Sequence, residues 1–215
     1  MESAYGFTIP RTVQEACDPQ RMALLVYDMQ VGVLGQIDRG PEIIERVLQV
    51  IDAARTGGYR IIYLRHMFLP KEMAGVSALR TLMAWQRVQT VAEVQPMLLS
   101  GSPGFELVPE LDPRPEELVL DKVTMSAFAG TPLDIVLRDC GMDSYAIVGV
   151  ATEIGIEPTV RHSLDLGYLP VLVTDACGAG HEAAGQRALE TLEFAGGSLQ
   201  TDTATICAAL SGTAG

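Results

Sequence analysis

Tyr145-Ala146-Ile147-Val148-Gly149-Val150 is a continuous, β-branched apolar run, and Ala151-Thr152-Glu153-Ile154-Gly155-Ile156-Glu157-Pro158-Thr159 follows it at once with residues that open a helix. A strand with no polar face must be buried on both sides, as strands are in a parallel sheet covered by helices. Such a turn aims the first amides of the helix at whatever binds there. In α/β enzymes it commonly displays a Ser or Cys, but position 155 is glycine and carries no side chain to attack with. The scaffold reads as catalytic with its expected nucleophile missing.

The same alternation extends in both directions. Met22 to Tyr27 is an apolar run ending at Asp28, and Pro41 to Thr56 carries Ile43, Ile44, Val47, Leu48, Ile51 and Ala54 at helical spacing. Gly57-Gly58 stops that helix; Tyr59 to Leu64 predicts a second strand and Leu118 to Leu120 a third, leading into Asp121-Lys122. A helix is expected over Thr131 to Cys140, then the strand from Tyr145, a helix to Leu166, a strand over Tyr168 to Thr174 and a helix over Glu182 to Phe194. A short strand near Ser198 to Thr201 and a helix from Thr203 close the series. This order predicts an α/β fold of three layers, helices on both faces of a mostly parallel sheet of about six strands. One domain is expected over residues 1–215, with residues 1–20 as an N-terminal arm and residues 70–104 as an irregular insertion over the pocket. That insertion holds the only tryptophan, Trp85, together with Met73, Met83, Met97 and the breakers Gly75, Pro96 and Pro103. Its side chains either pack on the sheet or line the pocket.

Composition narrows the function. Acidic residues number 27 against 15 basic ones, for a net charge of −12, which repels phosphate backbones and anionic membranes. Neither nucleic acid nor a membrane is expected as a partner, and a cytoplasmic location is expected because Met1 to Thr12 lacks the pattern of a secretory signal. Cys17, Cys140, Cys177 and Cys207 are scattered without a C-x-x-C pair, so they read as reduced thiols rather than a zinc cage.

In an open parallel sheet ligands bind beyond the carboxyl ends of the strands, where connections leave to opposite faces. Asp28, Lys122 and Gly155 all fall on that rim, and a carboxylate with an ammonium in one dry cleft is equipped to handle protons. A structural ion pair is the alternative reading of the same two residues. Leu24-Leu25-Val26-Tyr27-Asp28-Met29-Gln30, Leu120-Asp121-Lys122-Val123-Thr124-Met125-Ser126-Ala127-Phe128 and Gly149-Val150-Ala151-Thr152-Glu153-Ile154 resemble the three signature blocks of the isochorismatase-like (cysteine hydrolase) family. The likeness runs in the family's element order from about Met22 to about Leu210. It implies a six-stranded sheet in the order 3-2-1-4-5-6, assembly as a homodimer or homotetramer, a small-molecule substrate and no cofactor. Members are mostly amidases of small C–N substrates such as nicotinamide, N-carbamoylsarcosine, ureidoacrylate and biuret, and use an Asp-Lys-Cys triad. By that resemblance Asp28 matches the general base, Lys122 its electrostatic partner, and Gly155 the nucleophile position. Isochorismatases proper also carry glycine there and cleave a vinyl ether with an acidic Asp, whereas Ala151-Thr152-Glu153 looks like the amidase branch.

Two routes follow for Asp28. Protonated, it delivers a proton to a vinyl ether carbon; ionised, it activates a water in the space the thiol would have filled. Backbone amides near Thr152 and Gly155 are expected to bind an oxyanion or carboxylate. Ala151, Thr152, Ile154, His66, Trp85 and Phe128 are the expected substrate contacts. The family often has a cis peptide after this strand, which corresponds to Val150-Ala151. The segment around His66 lacks the acid and second histidine of the nicotinamidase metal site, so no metal is expected. His162 and His181 are assigned solvent or structural roles and Arg161 an i,i+4 pair with Glu157; Cys177, placed beyond the end of the fifth strand with a flexible Gly-rich loop following it, is read as a small buried hydrophobe in preference to a stand-in nucleophile. Two further readings are a binding protein without turnover and an amidase whose cysteine has been replaced by Gly155.

Overall fold

Six strands assemble, in the computed structural model of this chain, into one parallel sheet; residues 2–212 are described. A short hairpin of β1 (Glu2–Ala4) and β2 (Phe7–Ile9) precedes it. The sheet consists of β3 (Met22–Tyr27), β4 (Arg60–His66), β5 (Leu118–Lys122), β6 (Ser144–Val150), β7 (Leu169–Gly178) and β8 (Leu199–Thr201), in the order β5-β4-β3-β6-β7-β8. Counting the sheet strands alone, this is the expected 3-2-1-4-5-6. Every residue of β3 and β6 is buried, as their unbroken apolar sequences require.

The pleat sorts β3 between two cores. Met22, Leu24 and Val26 face α3 (Gly40–Thr56) and α8 (Thr203–Leu210), packing on Val47, Val50, Ile51, Ile206 and Leu210. Ala23, Leu25 and Tyr27 face α5 (Leu133–Asp139), α6 (Glu157–Asp165) and α7 (Glu182–Ala195), packing with Leu133, Leu137, Val160 and Leu192. These are the three layers the alternation predicted. Asp202 caps α8, its carboxylate accepting from the Thr205 amide at 2.7 Å.

The structure departs from the sequence reading in three places. Residues 70–104 are not irregular throughout: they contain the helix α4 (Val76–Gln86) and a 3₁₀ turn at Val91–Glu93 closed by a Thr90/Glu93 capping box. Phe68, Leu82, Val94 and Leu98 form a small apolar cluster of their own there. Within residues 1–20, the hairpin and α1 (Val13–Ala16) went unread because each is only three or four residues long. Lastly, β7 continues past Thr174 to Gly178, so Cys177 lies inside the strand, in register with Gly149, and not beyond its end. No helix among the described residues is long and apolar enough to cross a membrane.

Candidate active site

The chain leaves β3 toward one face of the sheet and β6 toward the other, and the crevice between their carboxyl ends holds the site. Asp28 ends β3 in a left-handed conformation (φ +48°), which aspartate tolerates better than most residues, and its amide donates to Leu64 O at 3.0 Å. Next to it β6 approaches so closely that Gly149, at φ +122°, could carry no β-carbon without striking the backbone of Tyr27. Gln30, fully buried, secures the other side. It accepts from the His66 amide (2.7 Å) and donates to the carbonyls of His66 (2.9 Å) and Phe105 (2.7 Å), tying three segments together.

Lys122, the last residue of β5, reaches Asp28 from behind. Its Nζ donates to Asp28 Oδ2 at 2.8 Å and to Thr124 O at 3.3 Å, lies 4.3 Å from the Tyr27 ring centroid, and is shielded from solvent. Asp28 Oδ1 and both ring nitrogens of His66 are buried with no hydrogen-bond partner among the described residues. Burial dominates the electrostatics. It pushes the Asp28 carboxyl up to about 6, Lys122 pulling only partly the other way. It lowers the Lys122 ammonium, with Asp28 opposing, and burial followed by the charge of Lys122 brings His66 down to about 3, so that imidazole is neutral near pH 7.

A cavity of about 410 Å³ opens in front of Asp28. Asp28, His66, Trp85, Ala151, Ile154 and Gly155, all expected at the site, line it together. Two expected contacts do not. Thr152 turns its hydroxyl to Gly178 O (3.0 Å) and lines a neighbouring cavity. Phe128 is buried in the core, its ring 5.4 Å from that of Tyr168 and 6.0 Å from that of Tyr145. Of the amides expected to bind substrate, that of Gly155 is used within the chain. A π-helical turn at Thr152–Ile156 directs the amides of Ile154, Gly155 and Ile156 to the single carbonyl of Ala151, at 3.3, 3.0 and 3.2 Å. The Val150-Ala151 peptide is cis.

Several lining residues were missed. Tyr27 fills the space beside Gly155, where a β-carbon would come within 2.6 Å of its Cζ. A side chain at residue 155 would therefore have to displace that ring. Glu153 lines the cavity with Oε2 buried and without a partner among the described residues, while Oε1 accepts from the His181 amide (2.7 Å). His181, given a solvent or structural role, is a lining residue, as is Arg87 at the end of α4. Strand alternation placing Tyr27 on the face of Gly155 was the one signal that would have found it.

Other residues are accounted for structurally. Cys177 is buried, donates to Ile147 O at 3.5 Å, and burial raises its thiol to about 12, which leaves it inert. His162 Nδ1 bonds Ser126 Oγ (2.8 Å), and Arg161 pairs with Glu157 (2.6 Å) one turn back, as its spacing predicted. Among the described residues no group of three or more His, Cys, Asp or Glu is placed to hold a metal ion.

Known proteins share this arrangement of elements. The chain is 30% identical over 183 residues to the ureidoacrylate amidohydrolase RutB of Acinetobacter baylyi, covering 78% of this chain and 74% of that one. A cysteine hydrolase from Pseudomonas syringae pv. phaseolicola superposes with a TM-score of 0.79 at 23% identity, over 92% of this chain and 95% of its own. An isochorismatase family protein from Burkholderia thailandensis does so with a TM-score of 0.71 at 26% identity, over 89% and 96%. Residues 22–205, from the first sheet strand into the last helix, match the isochorismatase domain, so this chain belongs to the isochorismatase family and is a hydrolase.

Proposed function

We propose that this hydrolase cleaves an amide-like C–N bond of a small molecule without a covalent intermediate, with Asp28 as general base and acid and Lys122 as its partner. The observation that carries this reading is that the Asp28–Lys122 pair is intact, with Asp28 Oδ1 unpartnered at the cavity, while Tyr27 occupies the room a nucleophile at residue 155 would need. In the proposed reaction the Asp28 carboxylate takes a proton from a water in the open cavity. The resulting hydroxide adds to the substrate carbonyl, the C–N bond breaks, and Asp28 returns the proton to the departing nitrogen. A carboxyl held at about 6 suits both halves of that cycle near neutral pH, since either form is readily reached. Lys122, donating to Oδ2, keeps that oxygen oriented. The similarity to an amidohydrolase favours the C–N bond.

A second reading is favoured by the raised Asp28 value: the protonated acid protonates a vinyl ether carbon and water captures the oxocarbenium ion. Assembly as a homodimer or homotetramer belongs to the proposal too, supported by the exposed apolar side chains of Tyr5, Phe7 and Phe194. The test is hydrolysis of a panel of ureides, carbamates, small amides and isochorismate by the native protein beside Asp28→Asn. Turnover of a C–N substrate that disappears in the variant is the expected result. Turnover of isochorismate alone selects the vinyl ether reading, and tight binding with no turnover across the panel makes the chain a binding protein.

A further inference from the structure

Tyr27 immediately precedes Asp28, and the pleat sends the two side chains apart. Its ring turns to the face covered by α6, into the space beside Gly155, and is almost completely buried. A β-carbon built at residue 155 would lie 2.6 Å from Tyr27 Cζ, and closer still to Cε1 and the phenol oxygen, whereas real β-carbons essentially never come within 3.0 Å of a neighbour. The ring is held from two sides. Its hydroxyl donates to Met125 O, and the Lys122 ammonium sits 4.3 Å from its centroid, within cation–π range. Burial first, then the nearby Asp28, raises the phenol well above its ordinary value, so the ring is uncharged at physiological pH.

We propose that Tyr27 and Gly155 are a matched pair, in which Tyr27 is a positioning residue that fills the nucleophile's place and holds the Lys122 ammonium against its face, and so on Asp28. The inference rests on the reading of Asp28 as an acid/base that works without a thiol. It adds a specificity consequence: no attacking group can approach from residue 155, so the reacting carbon must meet Asp28 from the open cavity. It also means that one substitution cannot restore a cysteine mechanism. A cysteine at position 155 meets the phenol, and only a smaller residue at position 27 makes room for its sulfur.

A double-variant cycle over Gly155→Cys, Tyr27→Val and the two combined tests the pair with no substrate needed. Gly155→Cys alone is expected to lower Tm by roughly 5 °C or more through overpacking, with part of that loss recovered when Tyr27→Val is added. Peptide mass spectrometry after iodoacetamide treatment should find the introduced thiol of the combined variant alkylated at least about tenfold faster than the buried Cys177 of the same molecules. A Gly155→Cys protein as stable as the native one, with its introduced thiol as reactive as in the combined variant, overturns the pairing. Positioning of Lys122 is read separately. Tyr27→Leu, which keeps bulk but loses the aromatic face, should lower kcat about tenfold with KM little changed, whereas Tyr27→Phe should retain most of kcat. Equal kcat for the two overturns the positioning role, and this comparison decides the matter alone if neither cysteine variant folds. A stability cycle as expected together with an active Asp28→Asn would sink the Asp28 reading and leave the steric pairing standing.

Discussion

Two ion pairs in this chain, one partly buried and one buried, are built from the same kinds of charge and finished in opposite ways. Arg55 and Glu117, with side chains 13% and 6% exposed, meet through two bonds of 2.7 and 2.9 Å. Glu117 also accepts from Tyr63 (3.0 Å) and from the Arg114 amide (2.8 Å), and Arg55 also reaches Asp112 O (3.0 Å). Although burial acts to raise Glu117, Arg55 and those further donors outweigh it and hold the carboxyl below its ordinary range. Asp28 and Lys122 share one bond, with Oδ1 unpartnered among the described residues, and burial prevails on both partners. A saturated pair fixes structure. An unsaturated one leaves a lone pair and a titration near neutrality, and the proposed catalytic role of Asp28 rests on that difference.

The comparison can be broken first at Lys122. Lys122→Met should reduce kcat/KM by about 10²-fold or more, the scale of a lost acid/base contribution, with the variant still folded by circular dichroism. Glu117→Leu should do the reverse, leaving the kcat/KM of folded enzyme near native while denaturant unfolding records a stability loss of about 1–3 kcal/mol, the cost of leaving the partly buried Arg55 without its hydrogen-bond partner. Carboxyl carbon NMR then separates the two acids directly. Asp28 should titrate near 6 and Glu117 below the ordinary glutamate value of about 4.3. The linkage signs are opposite. The contribution of Glu117 to stability is present above its unfolded value and lost as pH falls through its lower folded one. That of Asp28 is complete below its unfolded value of about 3.9 and lost as pH rises through about 6. The smallest effect is expected at Trp85, 43% exposed at the cavity: Trp85→Ala should raise KM a few-fold, on the order of 1 kcal/mol, with kcat little altered in steady-state assays.

What the sequence made legible follows from where each signal lives. The sheet was readable because Met22 to Tyr27 and Tyr145 to Val150 are buried on both faces and apolar throughout. Asp28, Lys122 and Gly155 were readable as rim residues because strand ends converge in this topology. Helix α4 was hidden by neighbouring breakers and by its weak apolar face, only Leu82 being buried. The π-helical turn at Thr152–Ile156 was hidden for a different reason: which carbonyl an amide chooses is settled by tertiary packing, and here the Gly155 amide goes to Ala151 O while the Thr152 hydroxyl turns to Gly178 O. Tyr27 was read only as one more apolar strand residue, although a large ring on the face of a glycine was already implied by strand parity.

Proton transfer by Asp28 without help from a thiol is read most directly from the pH dependence of kcat/KM for the native protein on its best substrate, before and after exhaustive treatment with iodoacetamide. A limb with midpoint near 6 is expected, rising with pH for the C–N reaction, unaltered by alkylation and absent in Asp28→Asn. Activity that is lost on alkylation, or that survives in Asp28→Asn with no limb near 6, would contradict it.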